Sequence, residues 1–404
     1  MSYKKDQAPA GKGAFKAPSL RALTAAALAL PGLAAAQTDG LQVDYQFSHY
    51  QERDLPASRN VSGRPSERYE VESHQVRMSQ PFGERQLTAE FLYETLSGAS
   101  PWFVLPDAEG DPVQVMSGPT ITEERYGAQI SGSSPINDEW SGTLSGGFSE
   151  ENDYRSGFGG GELSFRPNNG RLTYIASASL ARDRIRPTQG ATPVGVIQDF
   201  KTAHQFNIGA AYVLNPRTWI QGSIGYQNHR GYLSDPYKAV FIVDDASTVF
   251  DNRPRDRQGI HAMARLRHFN EQWQGAWHVD YRYYDDDWDV RSHTLEITWH
   301  QTLSEHWQVS PGVRWYSQTE AFFYAPFFQT LPNDGFVSSD YRLSPFGAIS
   351  LRLDAQRRWD RWTVTAGVEQ YRASASYSLE SVAVEAPGIV GRYVAINLGV
   401  SLDL

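Results

Sequence analysis

Between Val394 and Leu404 the sequence separates into two faces, residue by residue. Val394, Ile396, Leu398, Val400, Leu402 and Leu404 alternate with Ala395, Asn397, Gly399, Ser401 and Asp403. Successive side chains of a strand point to opposite sides, so this stretch carries one aliphatic face and one small or polar face. A soluble sheet would have to bury the aliphatic face, and after Leu404 nothing is left to cover it. A transmembrane barrel needs no cover. Its aliphatic face meets lipid, its polar face meets an aqueous lumen, and its last strand closes onto its first. The expected fold is therefore all-β, a single antiparallel transmembrane β-barrel.

Hydropathy supports strands as the spanning element. The mean hydropathy is −0.50, and past the N-terminus no run approaches the roughly 18 apolar residues of a membrane helix. Cysteine is absent, which removes disulfides, thiolate metal sites and cysteine nucleophiles and suits an oxidising exterior. Residues 1–36 read as a cleaved signal peptide. Lys4, Lys5, Lys12, Lys16 and Arg21 precede the apolar core Ala22 to Leu30, and Ala34-Ala35-Ala36 offers a cleavage site. The barrel is expected to occupy 37–404, in the outer membrane of a Gram-negative cell. Removing five basic residues and one acid takes the formal charge from −9 to −13, which argues against nucleic acid as a partner. Membrane lipid is an expected partner. So is the bacterial barrel-insertion machinery, whose signal the terminal alternation resembles, although an aromatic last residue is commoner there than Leu404.

Along the chain the rhythm repeats. Leu41, Val43, Tyr45 and Phe47 begin the first strand, leaving no room for an N-terminal plug domain. Tight turns near Pro81 to Glu84, Ser133 to Glu139, Arg166 to Arg171, Leu214 to Arg217, Phe269 to Trp273, Leu303 to His306 and Asp354 to Asp360 alternate with longer or more polar connections. The latter lie near Glu52 to Arg68, Gly98 to Pro119, Glu151 to Ser156, Arg182 to Asp199, His229 to Arg257, Asp285 to Val290, Gln318 to Asp340 and Ser374 to Gly388. The count is about sixteen strands of spanning length, with short periplasmic turns and long extracellular loops. Trp140, Trp219, Trp273, Trp299, Trp307, Trp359 and Trp362 fall at or beside the short turns, where an aromatic girdle belongs.

Charge is densest on the expected inward faces of the tenth to fourteenth strands. His261, Arg265, Arg267, His278, Asp280, Arg282, Glu296, His300, Arg314, Arg342 and Arg352 are the candidate lumen-lining residues. They form either a selectivity lining or ligand site on one wall, or salt-bridged filler that stiffens it. Asp285, Asp286, Asp287 and Trp288, with Trp102, are candidates for the external loop surface. The acidic run has hard oxygen donors but lacks the spacing of a calcium loop, so a solvated acidic turn accounts for it. No H-E-x-x-H or G-x-S-x-G occurs, and Gly157 to Gly161 leads into a strand, not into the helix of a phosphate loop. No cofactor, metal or catalytic residue is assigned, and an enzyme is not expected.

Several strings together resemble one family. They are Ser97-Gly98-Ala99-Ser100-Pro101-Trp102, Asp251-Asn252-Arg253-Pro254, Tyr283-Tyr284-Asp285-Asp286-Asp287-Trp288, Arg314-Trp315-Tyr316 with Ala321-Phe322-Phe323-Tyr324, and Asp340-Tyr341-Arg342-Leu343-Ser344. The family comprises bacterial outer-membrane barrels known only as a domain of unknown function, and the resemblance covers nearly the whole mature chain. It implies an outer-membrane barrel, with a small lipoprotein or periplasmic redox or flavin-transfer proteins as possible partners, and no catalytic residues to carry over.

Three functions follow from these readings. A porin-like channel or transporter for small solutes or ions follows from a lumen too wide for side chains to fill, unless loops such as Gly98 to Pro119 or His229 to Arg257 fold inward. The alternative is a scaffold or receptor holding a small lipoprotein or a periplasmic redox partner. An outer-membrane enzyme has no motif behind it. Cargo and oligomeric state are not set by the sequence.

Overall fold

The computed structural model describes residues 40–117, 121–167, 170–188 and 193–404. The expected leader and its cleavage site lie outside these residues, as do parts of the connections after Gly98 and after Arg182.

In chain order the strands are β1 (Gln42–Glu52), β2 (Glu70–Phe82), β3 (Arg85–Gly98), β4 (Pro101–Pro106), β5 (Pro112–Met116), β6 (Ile121–Pro135), β7 (Trp140–Glu151), β8 (Tyr154–Phe165), β9 (Leu172–Ile185) and β10 (Asp199–Asn215). They continue with β11 (Thr218–Gly231), β12 (Ala239–Ile242), β13 (Ser247–Phe250), β14 (Asp256–Asn270), β15 (Gly275–Asp286), β16 (Arg291–Thr302), β17 (Trp307–Gln318), β18 (Phe346–Trp359), β19 (Trp362–Ser374) and β20 (Arg392–Asp403). Sixteen of them close into one antiparallel barrel, while β4–β5 and β12–β13 are separate hairpins within connections. The expected fold and strand number are what is found.

Closure is made by β1 against β20. Gln42 stands opposite Asp403, Phe47 opposite Leu398 and Tyr50 opposite Ala395. The alternation in β20 is resolved as the hydrocarbon environment requires: Ile396 and Leu398 are 43% and 48% exposed on the exterior, not sandwiched between sheets. A two-residue turn, Gly83-Glu84, joins β2 to β3, and Gly83 takes φ +63°, a left-handed conformation that costs glycine little. The turns β2–β3, β6–β7, β10–β11, β14–β15, β16–β17 and β18–β19 are all short and lie at the end that also holds Leu404, so this end is periplasmic, and the long connections at the other end are extracellular. The external β7–β8 connection is shorter than expected, only Asn152 and Asp153. The girdle holds at Trp140, Trp299, Trp307, Trp359 and Trp362, but Trp219 departs from it. Trp219 sits in register with Arg267, on the lumen side, and the Arg267 guanidinium lies 5.6 Å from its ring.

The apolar core is at one end of the molecule. Leu55, Leu96, Val104, Val240, Ile242 and Val337 are all almost completely buried, and all belong to external connections or the uppermost strand residues. Trp288, Val290, Ala321, Phe323 and Leu343 form one cluster there, and Ala348, Ala373, Ala386 and Ile389 another. Below this level, inward positions hold Ser, Gly, Gln and charged residues, as a water-filled interior allows.

Candidate functional site

Two structures make up the site, a cap over the external mouth and the charged wall beneath it. The cap is built from several connections. Phe328 and Val337, in the β17–β18 connection, pair with Ile242 and Asn252 of the β11–β14 connection. Lys238 reaches across to the β3–β6 connection, where its Nζ donates to the Pro101 carbonyl at 2.7 Å. Asn60 pairs with Gln114, Arg59 bonds Glu385 at 2.6 Å, and Arg68 donates to the Gly388 carbonyl at 2.9 Å. Loops with so many mutual bonds cannot move independently.

At the centre of the cap lies a buried charge node. Asp340, fully buried, precedes a 3-10 turn at Tyr341–Leu343 and accepts from Arg253 Nη2 at 2.8 Å and from Arg342 Nε at 2.8 and 2.9 Å. Arg342 also donates to Asp235 at 2.7 Å, and Arg253 to Asp251 at 2.7 Å. Burial alone would raise the Asp340 carboxyl, but Arg342, Lys238 and Arg253 outweigh it and hold the group well below the usual carboxylate value. Burial lowers the Lys238 ammonium, against the pull of Asp340 and Asp235. It raises the Asp251 carboxyl, with Arg253 opposing. A second buried pair, Arg68 with Glu52 at 2.5 Å, fixes the cap to the rim of β1. Removing one partner of such a pair strands a buried charge, at a cost of about 3–5 kcal/mol.

Ten of the eleven candidate lumen residues do face the lumen, on β14 to β18. Arg342 does not. It lies in the β17–β18 connection and is part of the cap. Most of the ten are neutralised by neighbours. Arg267 donates to both oxygens of Asp280 at 2.7 and 2.8 Å, and Arg265 lies 3.6 Å from the same carboxylate. Arg352 is shared by Asp354 at 2.8 Å and Glu296 at 3.5 Å. His278 packs on His300, His300 bonds Ser310 and His261 bonds Asn207. Arg282 and Arg314 have no ion pair among the described residues.

The external candidates divide differently. Asp287 is exposed, whereas Asp286 is buried, accepting from Arg257, from the Tyr284 hydroxyl and from the backbone N–H groups of Trp288 and Val290. Trp288 is a core residue, not a surface one. Its indole N–H donates to the Asp256 carbonyl at 3.0 Å, and the Arg257 guanidinium stacks 4.4 Å from its ring. The exposed Asp287 accepts from the Gln258 N–H at 2.9 Å, so the run supplies carboxylates to separate structural bonds instead of a convergent set. Asp285 is half-buried at the end of β15, and Trp102 is half-buried on β4, edge-on to Phe103.

One cluster carried no local signal. Glu123, Glu151 and Asp153 bring carboxylate oxygens within 4.8 Å of one another beneath the cap, beside Arg125, with the Tyr237 hydroxyl donating to Asp153 at 2.5 Å. Only strand pairing assembles it, because Glu123 lies on β6, Glu151 on β7 and Asp153 in the turn after β7.

A closed sixteen-strand barrel with an aliphatic exterior and a polar lumen is an outer-membrane β-barrel protein, in contact with lipid and resident in the Gram-negative outer membrane. The chain belongs to the family described as protein of unknown function DUF3570, whose profile matches residues 20–397. No curated protein matches it. Among solved structures it is similar to CdiB from Acinetobacter baumannii, with TM-score 0.50, 8% identity and coverage of 89% of this chain and 60% of that one. The siderophore receptor PirA from the same species gives TM-score 0.44 and 10% identity over 84% of this chain and 53% of that one. The toluene transporter TodX from P. putida gives 0.42 and 8% over 91% and 90%. The chain thus spans little more than half the length of PirA and three fifths of CdiB. At these identities the likeness is one of fold.

Proposed function

We propose that the protein is a capped outer-membrane channel, closed at rest by its external loops, that passes small solutes or ions when the cap yields. The observation that carries this reading is the contrast between a packed, charge-locked cap of external loops and the polar, charged inward faces of the strands below it. A packed apolar layer of this kind resists water, and a charged lining below it suits the passage of small polar solutes. Planar-bilayer recording tests it. The wild-type chain is expected to conduct rarely, and the Asp340→Ala variant to open frequently in steps of pore size. Equal and permanent opening of both proteins, or silence of both when correctly folded, overturns it.

The same asymmetry favours a second reading, in which the lumen receives a small lipoprotein or a periplasmic redox protein from the side opposite the cap. Copurification of such a partner in fixed stoichiometry, with a silent Asp340→Ala barrel, would select that reading over the channel.

A further inference from the structure

The basic wall is not uniform. Its guanidiniums at Arg265, Arg267 and Arg352 are held by Asp280, Asp354 and Glu296, whereas Arg282 and Arg314 have no carboxylate partner among the described residues. Arg282 is exposed and Arg314 half-exposed to the lumen. Glu296 stands opposite Arg314 in register but is engaged with Arg352. Arg314 lies directly across two strands from Asp280, which precedes Arg282 by two residues on the same face. Two strand spacings and a two-residue offset separate the Cα atoms of the two arginines by about 12 Å, a span that two extended side chains close onto one small anion.

The opposite wall does not cancel this charge. Glu94, Glu123, Glu151 and Asp183 are buried beneath the cap, and Glu90 is held by Arg77 at 2.7 Å. Apart from Glu162 on β8, which is exposed, these acids are withdrawn from the water or paired, while Arg282 and Arg314 stand in it just under the cap without an ion-pair partner among the described residues. Directly above, Tyr284 and Tyr316 are engaged, Tyr284 with Asp286 at 2.6 Å and Tyr316 with Gln318 at 2.6 Å. They roof the two guanidiniums without neutralising them. A planar fork with its donors turned into a restricted aqueous space is suited to carboxylate and phosphate oxygens.

We infer that Arg282 and Arg314 form a binding site for a small oxyanionic solute, a carboxylate or a phosphate, on the basic wall of the lumen beneath the cap. This rests on the channel reading for its purpose, since it names the class of cargo the lumen would pass, but binding itself requires no conduction.

The test is calorimetric titration of the full-length protein in detergent micelles with inorganic phosphate and, separately, with succinate. Saturable binding of at least one is expected. The double variant Arg282→Gln/Arg314→Gln should weaken it about tenfold or more, the loss of charge-assisted hydrogen bonds being the cause. Arg282→Lys/Arg314→Lys, which keeps charge and fold but loses the fork, should fall between, and Glu162→Gln, an exposed acid on β8 across the barrel, should bind as wild type. Absence of saturable binding for both anions, or undiminished binding by a glutamine double variant whose barrel circular dichroism is intact, overturns the inference. Phosphate or succinate binding by a barrel that never conducts would retire the channel and leave the site. Conductance without anion binding would retire the site alone.

Discussion

The cap and the lumen are made from the same chain and use charge in opposite ways. In the cap, Asp340, Arg253 and Lys238 are taken out of water and locked by geometry, so each bond is coupled to the others. In the lumen, Asp280 and Arg267 meet at comparable distances but keep access to water, where an ion pair contributes little net stability. Similar distances therefore carry different energies, and the difference assigns roles. The cap's ion pairs hold a conformation, and the lumen's ion pairs leave their charge in contact with water.

The sharpest way to break this contrast is Asp340→Ala. It should destabilise the cap by about 3–5 kcal/mol, because Arg253 and Arg342 lose their common acceptor and Lys238 loses a nearby counter-charge. Hydrogen exchange should rise in 235–253 and 320–344 while the barrel strands stay protected. Uniform loss of protection would mean that cap and barrel fold as one unit. Next in size, Leu398→Arg places charge on the lipid face and should cost about 2–4 kcal/mol in refolding into lipid vesicles. Asn397→Arg, one residue away but turned to the lumen, should be nearly neutral, and equal costs would contradict the assigned faces.

Acid should loosen the cap before the barrel. Asp340 is held below the ordinary 3.8, so its contribution is complete above that pH and is lost as pH falls toward the folded value. Asp251, raised above 3.8 by burial, titrates in the opposite sense and blunts the onset. Loop proteolysis against pH is expected to show a cap stable at neutrality that opens only below about pH 4. Opening near neutrality would require another group. The smallest effect is expected for Arg267→Ala, which should change barrel stability by less than about 1 kcal/mol and leave cap protection unaltered. Its signature should be a shifted ion preference in an opened pore, and a large loss of stability would show the wall to be structural.

Much of the barrel was legible residue by residue, because the side of the wall a residue faces is set by parity within its own strand. That rule puts His261, Arg265, Asp280, Glu296 and Arg352 on inward faces, the side on which the strand register also has them. It failed for Arg342, whose string Asp340-Tyr341-Arg342 has no strand parity to read. Trp288 illustrates the same limit, since an acidic, turn-like neighbourhood reads as surface while its indole is buried against Phe323 and Leu343 and held by Asp256 and Arg257, some thirty positions earlier. Trp219 shows that proximity to a turn does not fix which face an aromatic takes at the end of a strand.

The sequence by itself determined that this chain closes into a membrane cylinder, since lipid outside and water inside impose a two-residue polarity that every strand must satisfy locally. Only the tertiary structure decided that the external loops pack together over one end of the cylinder. The bonds that join them link Lys238 to Pro101 across 137 positions and Arg253 to Asp340 across 87. Contacts at such separations leave no period in the sequence. They become favourable only once the barrel has brought the loop ends together and removed most of the entropy their meeting would otherwise cost.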